Sequence, residues 1–104
     1  MRVMLDECVP VRLGRWLAGH EVQTVTGTGW SGIKNGELLH LLVGGGYDVF
    51  VTADKNLEFQ QHLPELPLAI LVLPTNHWKS LQPHQARVLQ AFGRLQPGKV
   101  TRLD

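Results

Sequence analysis

The sequence predicts an α/β protein, a parallel β-sheet enclosed between helices as a three-layer α/β/α sandwich, in a single domain over residues 1–104. Three observations predict it. Apolar runs of strand length alternate with stretches of helical period along the chain. Two runs, Val49-Phe50-Val51 and Leu68 to Leu73, are continuously apolar, as strands covered on both faces are. No linker, repeat or low-complexity segment interrupts the alternation, and a chain of 104 residues can bury one self-sufficient core.

The elements follow in order. Arg2 to Leu5 is a short apolar strand that ends at Asp6. Val9 to Leu17 is a helix, with Val9, Leu13, Trp16 and Leu17 on one face, Pro10 in its first turn and Gly19-His20 closing it. Glu21 to Val25 alternates and is β-branched, hence a strand. The Gly27 to Gly32 segment is a loop. Asn35 to Val43 carries Leu38, Leu39 and Leu42 at helical spacing, with Asn35 as N-cap, and Gly44-Gly45-Gly46 ends it. Asp48 to Thr52 is a buried strand, Lys55 to His62 a short helix stopped by Pro64, and Leu68 to Leu73 another buried strand. Leu81 to Leu95 has helical period with Pro83 near its start. Lys99 to Leu103 alternates as a closing edge strand.

Composition bounds the function only loosely. The chain is 43% hydrophobic and 18% charged with a net charge of +1, an ordinary globule without the strong basic bias that would announce nucleic acid. The longest apolar stretch, Leu66 to Pro74, is too short to cross a bilayer. A charge as early as Asp6 argues against a signal peptide, and the lone Cys8 has no internal disulfide partner. No membrane association and a reducing, cytoplasmic setting are the expectations.

The polar residues that follow the strands carry the functional signal. In open α/β sheets ligands bind outside the carboxyl ends of the strands. Asp6 and Glu7 follow the first strand, and Thr52, Asp54 and Asn56 end or follow the third. Glu37 lies in the first turn of the helix after the glycine-rich loop. Four of the nine acidic residues (Asp6, Glu7, Glu37 and Asp54) thus fall on one edge. Grouped carboxylates repel unless a cation joins them, and magnesium or manganese is the hard cation that oxygen ligands favour. Each acid also has a structural explanation: Asp54 as a cap, Glu37 as a favourable charge at a helix N-terminus, Asp6 as a turn residue.

Leu5-Asp6-Glu7-Cys8-Val9-Pro10, then Asn35-Gly36-Glu37-Leu38-Leu39, then Val51-Thr52-Ala53-Asp54-Lys55-Asn56 together resemble the PIN-like family, in particular small bacterial PIN-like proteins similar to the toxins of toxin–antitoxin modules. The resemblance runs from Arg2 to about Phe92. It implies a metal-dependent endoribonuclease with Mg2+ or Mn2+ as cofactor, RNA as substrate, and a small antitoxin-like protein, or a second copy of the chain in a homodimer, as partner. It implies Asp6, Glu37 and Asp54 as catalytic and metal-binding acids, with Glu7, Asn35, Thr52 and Asn56 as neighbours. Lys34 and Lys55, the bases nearest that edge in sequence, then hold the flanking phosphates. Asn56 stands where many relatives carry another acid and Asn35 where some carry Asp, departures that leave enough for one metal or for a site that only binds.

Other features point elsewhere. His20, His40, His62, His77 and His84 show no zinc-site spacing. Cys8, without an identifiable base, reads as a small buried residue. Gly27, Gly29 and Gly32 have dinucleotide-fingerprint spacing but follow the second strand. Trp30 pins its loop to the core or stacks on a base. A non-catalytic binding module is the alternative to the nuclease. A phosphoryl-receiving domain ranks last, because it needs a lysine after the fifth strand and Lys99 precedes it.

Overall fold

The computed structural model describes residues 1–56 and 65–104. Five parallel strands form one sheet: β1 (Arg2–Leu5), β2 (Glu21–Thr24), β3 (Val49–Thr52), β4 (Ala69–Val72) and β5 (Val100–Arg102), in the order β2-β1-β3-β4-β5. All four strand pairings are parallel. The continuous apolar runs became the interior strands, with β3 and β4 buried at every residue. The two alternating runs, β2 and β5, became the edges, as half-covered strands should.

Alternate residues of the sheet feed two cores. Val3, Leu5, Val49, Val51, Ala69 and Leu71 pack with Leu13, Leu17, Leu81, Val88 and Phe92. Met4, Phe50, Ile70 and Val72 pack with Leu38, Leu39 and Leu42 of helix α1 (Asn35–Gly44). Trp30 is half-buried against this second core and meets Tyr47 edge-on, with ring centroids 6.1 Å apart, so it pins its loop. No helix among the described residues is long and apolar enough to cross a membrane.

Three helical expectations need correction. The segment after β1 is a 3-10 helix, η1 (Val11–Trp16), rather than an α-helix over Val9 to Leu17. Its backbone bonds span three residues, Val9 to Asp6, Leu13 to Pro10 and Leu17 to Gly14, at 3.0, 3.0 and 3.1 Å. Gly14, inside the segment, is a poor α-helix former. Lys34, not Asn35, is the N-cap of α1, and it caps through no side-chain bond. The helix expected over Leu81 to Leu95 is broken into α2 (Trp78–Leu81), a 3-10 turn (Gln82–His84) and α3 (Gln85–Phe92). Pro83 removes one donor from the α ladder where the break falls. The short helix expected over Lys55 to His62 lies, from residue 57 on, outside the described residues.

Strand order positions the site. From β1 the chain goes outward to β2, then crosses back to β3 on the other side of β1. The connections therefore diverge at the carboxyl ends of β1 and β3, the switch point at which such sheets form a crevice. Asp6 follows the first of these strands and Asp54 the second.

Candidate functional site

Register brings the two motifs together. Leu5 pairs with Val51, so the next residues, Asp6 and Thr52, lie side by side on adjacent strands. The Asp6 N–H donates to Val51 O at 2.9 Å and continues the ladder past the end of β1. Alternation puts both side chains on the same side of the sheet as Met4 and Phe50, the side α1 packs against.

Thr52 ties the Asp6 carboxylate to the main chain at Asp54. It is the one buried polar residue among those described, at 0% exposure. A hydroxyl has one proton and two lone pairs. The proton goes to Asp6 Oδ2 at 2.7 Å, and the oxygen accepts the Asp54 N–H at 3.0 Å. Asp54 Oδ1 in turn accepts the Asn56 N–H at 2.9 Å, closing a tight turn over Lys55. Asp6 Oδ1 accepts the Glu7 N–H at 2.8 Å. Asp6 and Asp54 are both half-buried. Neither takes part in either of the two ion pairs found among the described residues, Arg2–Glu21 and Arg102–Asp104.

The remaining candidates divide. Glu7 turns away and accepts the Gly32 N–H at 2.8 Å, tying the end of β1 to the loop before α1. Glu37 is exposed on the first turn of α1 and makes no hydrogen bond to Asp6 or Asp54. Asn35 is half-buried at the start of α1. Lys34, Lys55 and Asn56 are exposed. No group of three or more His, Cys, Asp or Glu side chains among the described residues is placed to hold a metal ion, so the three-acid cluster is not assembled. Asp6 and Asp54 are the two carboxylates that a hard cation could use at this edge, and two acids fall short of a two-metal clamp.

Cys8 is not the buried residue its type suggested: it is exposed in the turn after Asp6. Its sulfur lies 3.7 Å from Asp6 Oδ2 and 3.9 Å from Thr52 Oγ1. Crowding of the sulfur pushes the thiol pKa up, and the Asp6 charge adds to this. A proton held more tightly folded than unfolded makes stability fall as pH rises from the ordinary thiol value through the raised one. The thiol is therefore a poor nucleophile at neutral pH. Iodoacetamide is expected to alkylate Cys8 more slowly than an unstructured cysteine at equal pH. Asp6→Asn, by removing the carboxylate charge that adds to the rise, should speed it. Equal rates in the native and urea-unfolded chain would refute the shift.

Arg102 was missed by sequence reasoning. It ends β5 at the same edge, and its Nη2 donates to Lys55 O at 2.6 Å. The available signal was its place at the end of the last alternating run. Comparison of the chain with known protein families, curated proteins and solved structures finds no match.

Proposed function

We propose that this chain is a metal-dependent endoribonuclease of PIN type, built as a three-layer α/β/α sandwich, and the toxin component of a toxin–antitoxin pair acting in the cytoplasm. The observation that carries the reading is the pair of half-buried acids, Asp6 and Asp54, at the switch point, where the Thr52 hydroxyl bonds both the Asp6 carboxylate and the Asp54 main-chain N–H, without a cationic side chain paired to either acid among the described residues. A bound Mg2+ or Mn2+ would supply charge neutralisation at a phosphate and an activated water. Asp6 and Asp54 would hold such an ion. Thr52 holds the Asp6 carboxylate to the main chain at Asp54. Glu37 orients water from the start of α1, and Lys34 and Lys55 hold the flanking phosphates of RNA. An antitoxin-like protein, or a second copy of the chain, is the protein partner this reading requires.

A second reading is a non-catalytic PIN-like binding module, and it has its own support: Glu37 stands apart from Asp6 and Asp54, and position 56 is Asn rather than an acid. Metal binding and cleavage of an RNA panel test the two. Millimolar Mn2+ is expected to raise the melting temperature, because an ion bound only to the native state stabilises it. At a concentration 100 times the dissociation constant the gain is about 2.7 kcal/mol. Asp54→Asn should remove most of it. A melting curve indifferent to Mn2+ and Mg2+ would leave the acids a structural role.

A further inference from the structure

We propose that Arg102 is a positioning residue for the acidic edge, one that clamps the turn carrying Asp54 from two strands away. Thr52 pairs with Val72 and Val72 with Arg102, so the three residues form a row across the carboxyl edge of β3, β4 and β5. From the end of that row Arg102 Nη2 reaches Lys55 O at 2.6 Å. Its Nε faces the Asp104 carboxylate at 3.4 Å, which steadies the guanidinium.

The peptide it grips is the informative detail. The carbonyl of Lys55 and the N–H of Asn56 belong to one peptide group. The carbonyl accepts from Arg102, and the N–H donates to Asp54 Oδ1 at 2.9 Å. A cationic donor on the carbonyl polarises the peptide and strengthens what its N–H gives. Asp54 is thereby fixed twice, its own N–H by Thr52 and its carboxylate by a peptide that Arg102 holds. Arginine suits the task because its planar fork serves Lys55 O and Asp104 together, which a single ammonium does less well. The bland account is a charge on an edge strand that discourages pairing with other chains. That account does not explain a bond to the turn at the site.

The test is amide hydrogen exchange read residue by residue. In Arg102→Ala the Asn56 amide is expected to exchange about fivefold faster, the effect of losing one solvent-accessible charged hydrogen bond. Amides of the β3–β4 ladder and the melting temperature should hold. Arg102→Lys keeps a cationic donor and should fall between the wild type and Arg102→Ala. Unchanged exchange at Asn56, a rise shared equally by the ladder amides, or Arg102→Lys as fast as Arg102→Ala would each overturn the proposal. A second arm rests on the metal reading above: Mn2+ binding, followed by water-proton relaxation, should weaken about fivefold in Arg102→Ala, by the same loss. Wild-type protein that binds no Mn2+ would refute the metal reading alone, and the exchange data would still decide the role of Arg102.

Discussion

Asp6→Ala and Asp54→Ala are each expected to lower metal-dependent RNA cleavage by more than about 100-fold, since removing even a group that only supports a metal ligand costs up to that much. The structure offers little substitute for either: no cluster of three candidate ligands exists among the described residues. Asp6→Asn is the companion that keeps shape while removing the charge; with one acceptor oxygen in place of two it keeps either the Glu7 N–H bond or the Thr52 hydroxyl bond, and it should be as inactive as the alanine variant. Asn56→Asp is the opposite probe. Its backbone N–H already donates to Asp54 Oδ1, so an acid there would stand beside the proposed ligand and should raise activity. Cleavage is measured on a panel of structured and unstructured RNAs with Mg2+ and with Mn2+. Alanine variants that cut as well as the wild type would place the chemistry elsewhere. A wild type and an Asn56→Asp variant that both cut nothing would put the binding module in place of the nuclease.

The fold was legible where burial is continuous. Val49 to Val51 and Leu68 to Leu73 read as strands because no residue in them tolerates water, and both are interior strands. Asp6 and Asp54 were legible as edge residues for the same reason: each comes just after a run that has to be inside. Helices were less legible. The period over Val9 to Leu17 does not distinguish α from 3-10 geometry, and Gly14 in its middle weakens the α alternative. The helix around Pro83 read as one because its apolar positions continue across a break in its backbone bonds.

The site was only half legible because its geometry depends on register. Nothing in the string of letters says that Leu5 lies opposite Val51, yet this pairing places the Thr52 hydroxyl on Asp6. Thr52 was read as a neighbour when it is the joint. Glu7 and Glu37 shared the predicted edge with the two aspartates, but an edge is a line, and side chains on it turn different ways. Glu7 is taken by the Gly32 N–H. Cys8 was misread because free cysteine is usually buried, whereas position 8 falls in the turn that takes the chain off the sheet. Arg102 lies 47 residues from the carbonyl it grips, a pairing visible only once β5 is seated beside β4.

Thr52→Val is expected to destabilise the protein by about 2 kcal/mol and to uncouple the two acids. Valine matches threonine in shape, so the fully buried site stays filled and the change isolates the hydroxyl. Two partners are then stranded: the Asp54 N–H loses its acceptor and Asp6 Oδ2 its shortest donor. A buried polar group left without a partner costs about 1–3 kcal/mol, and Asp6 is exposed enough for water to replace part of its loss. In a chain of this size the deficit corresponds to a fall of about 10 °C in melting temperature. Thr52→Ser supplies the control. It keeps both hydrogen bonds and loses one methyl, about 1 kcal/mol. The discriminating result is the response to Mn2+. The serine variant should retain the metal-induced rise in melting temperature, and the valine variant should lose most of it, because its Asp6 carboxylate is no longer held to the main chain at Asp54. Equal Mn2+ responses in both variants, alongside a normal response in the wild type, would show that Asp6 and Asp54 reach the ion without Thr52 and would reduce the hydroxyl to a structural bond.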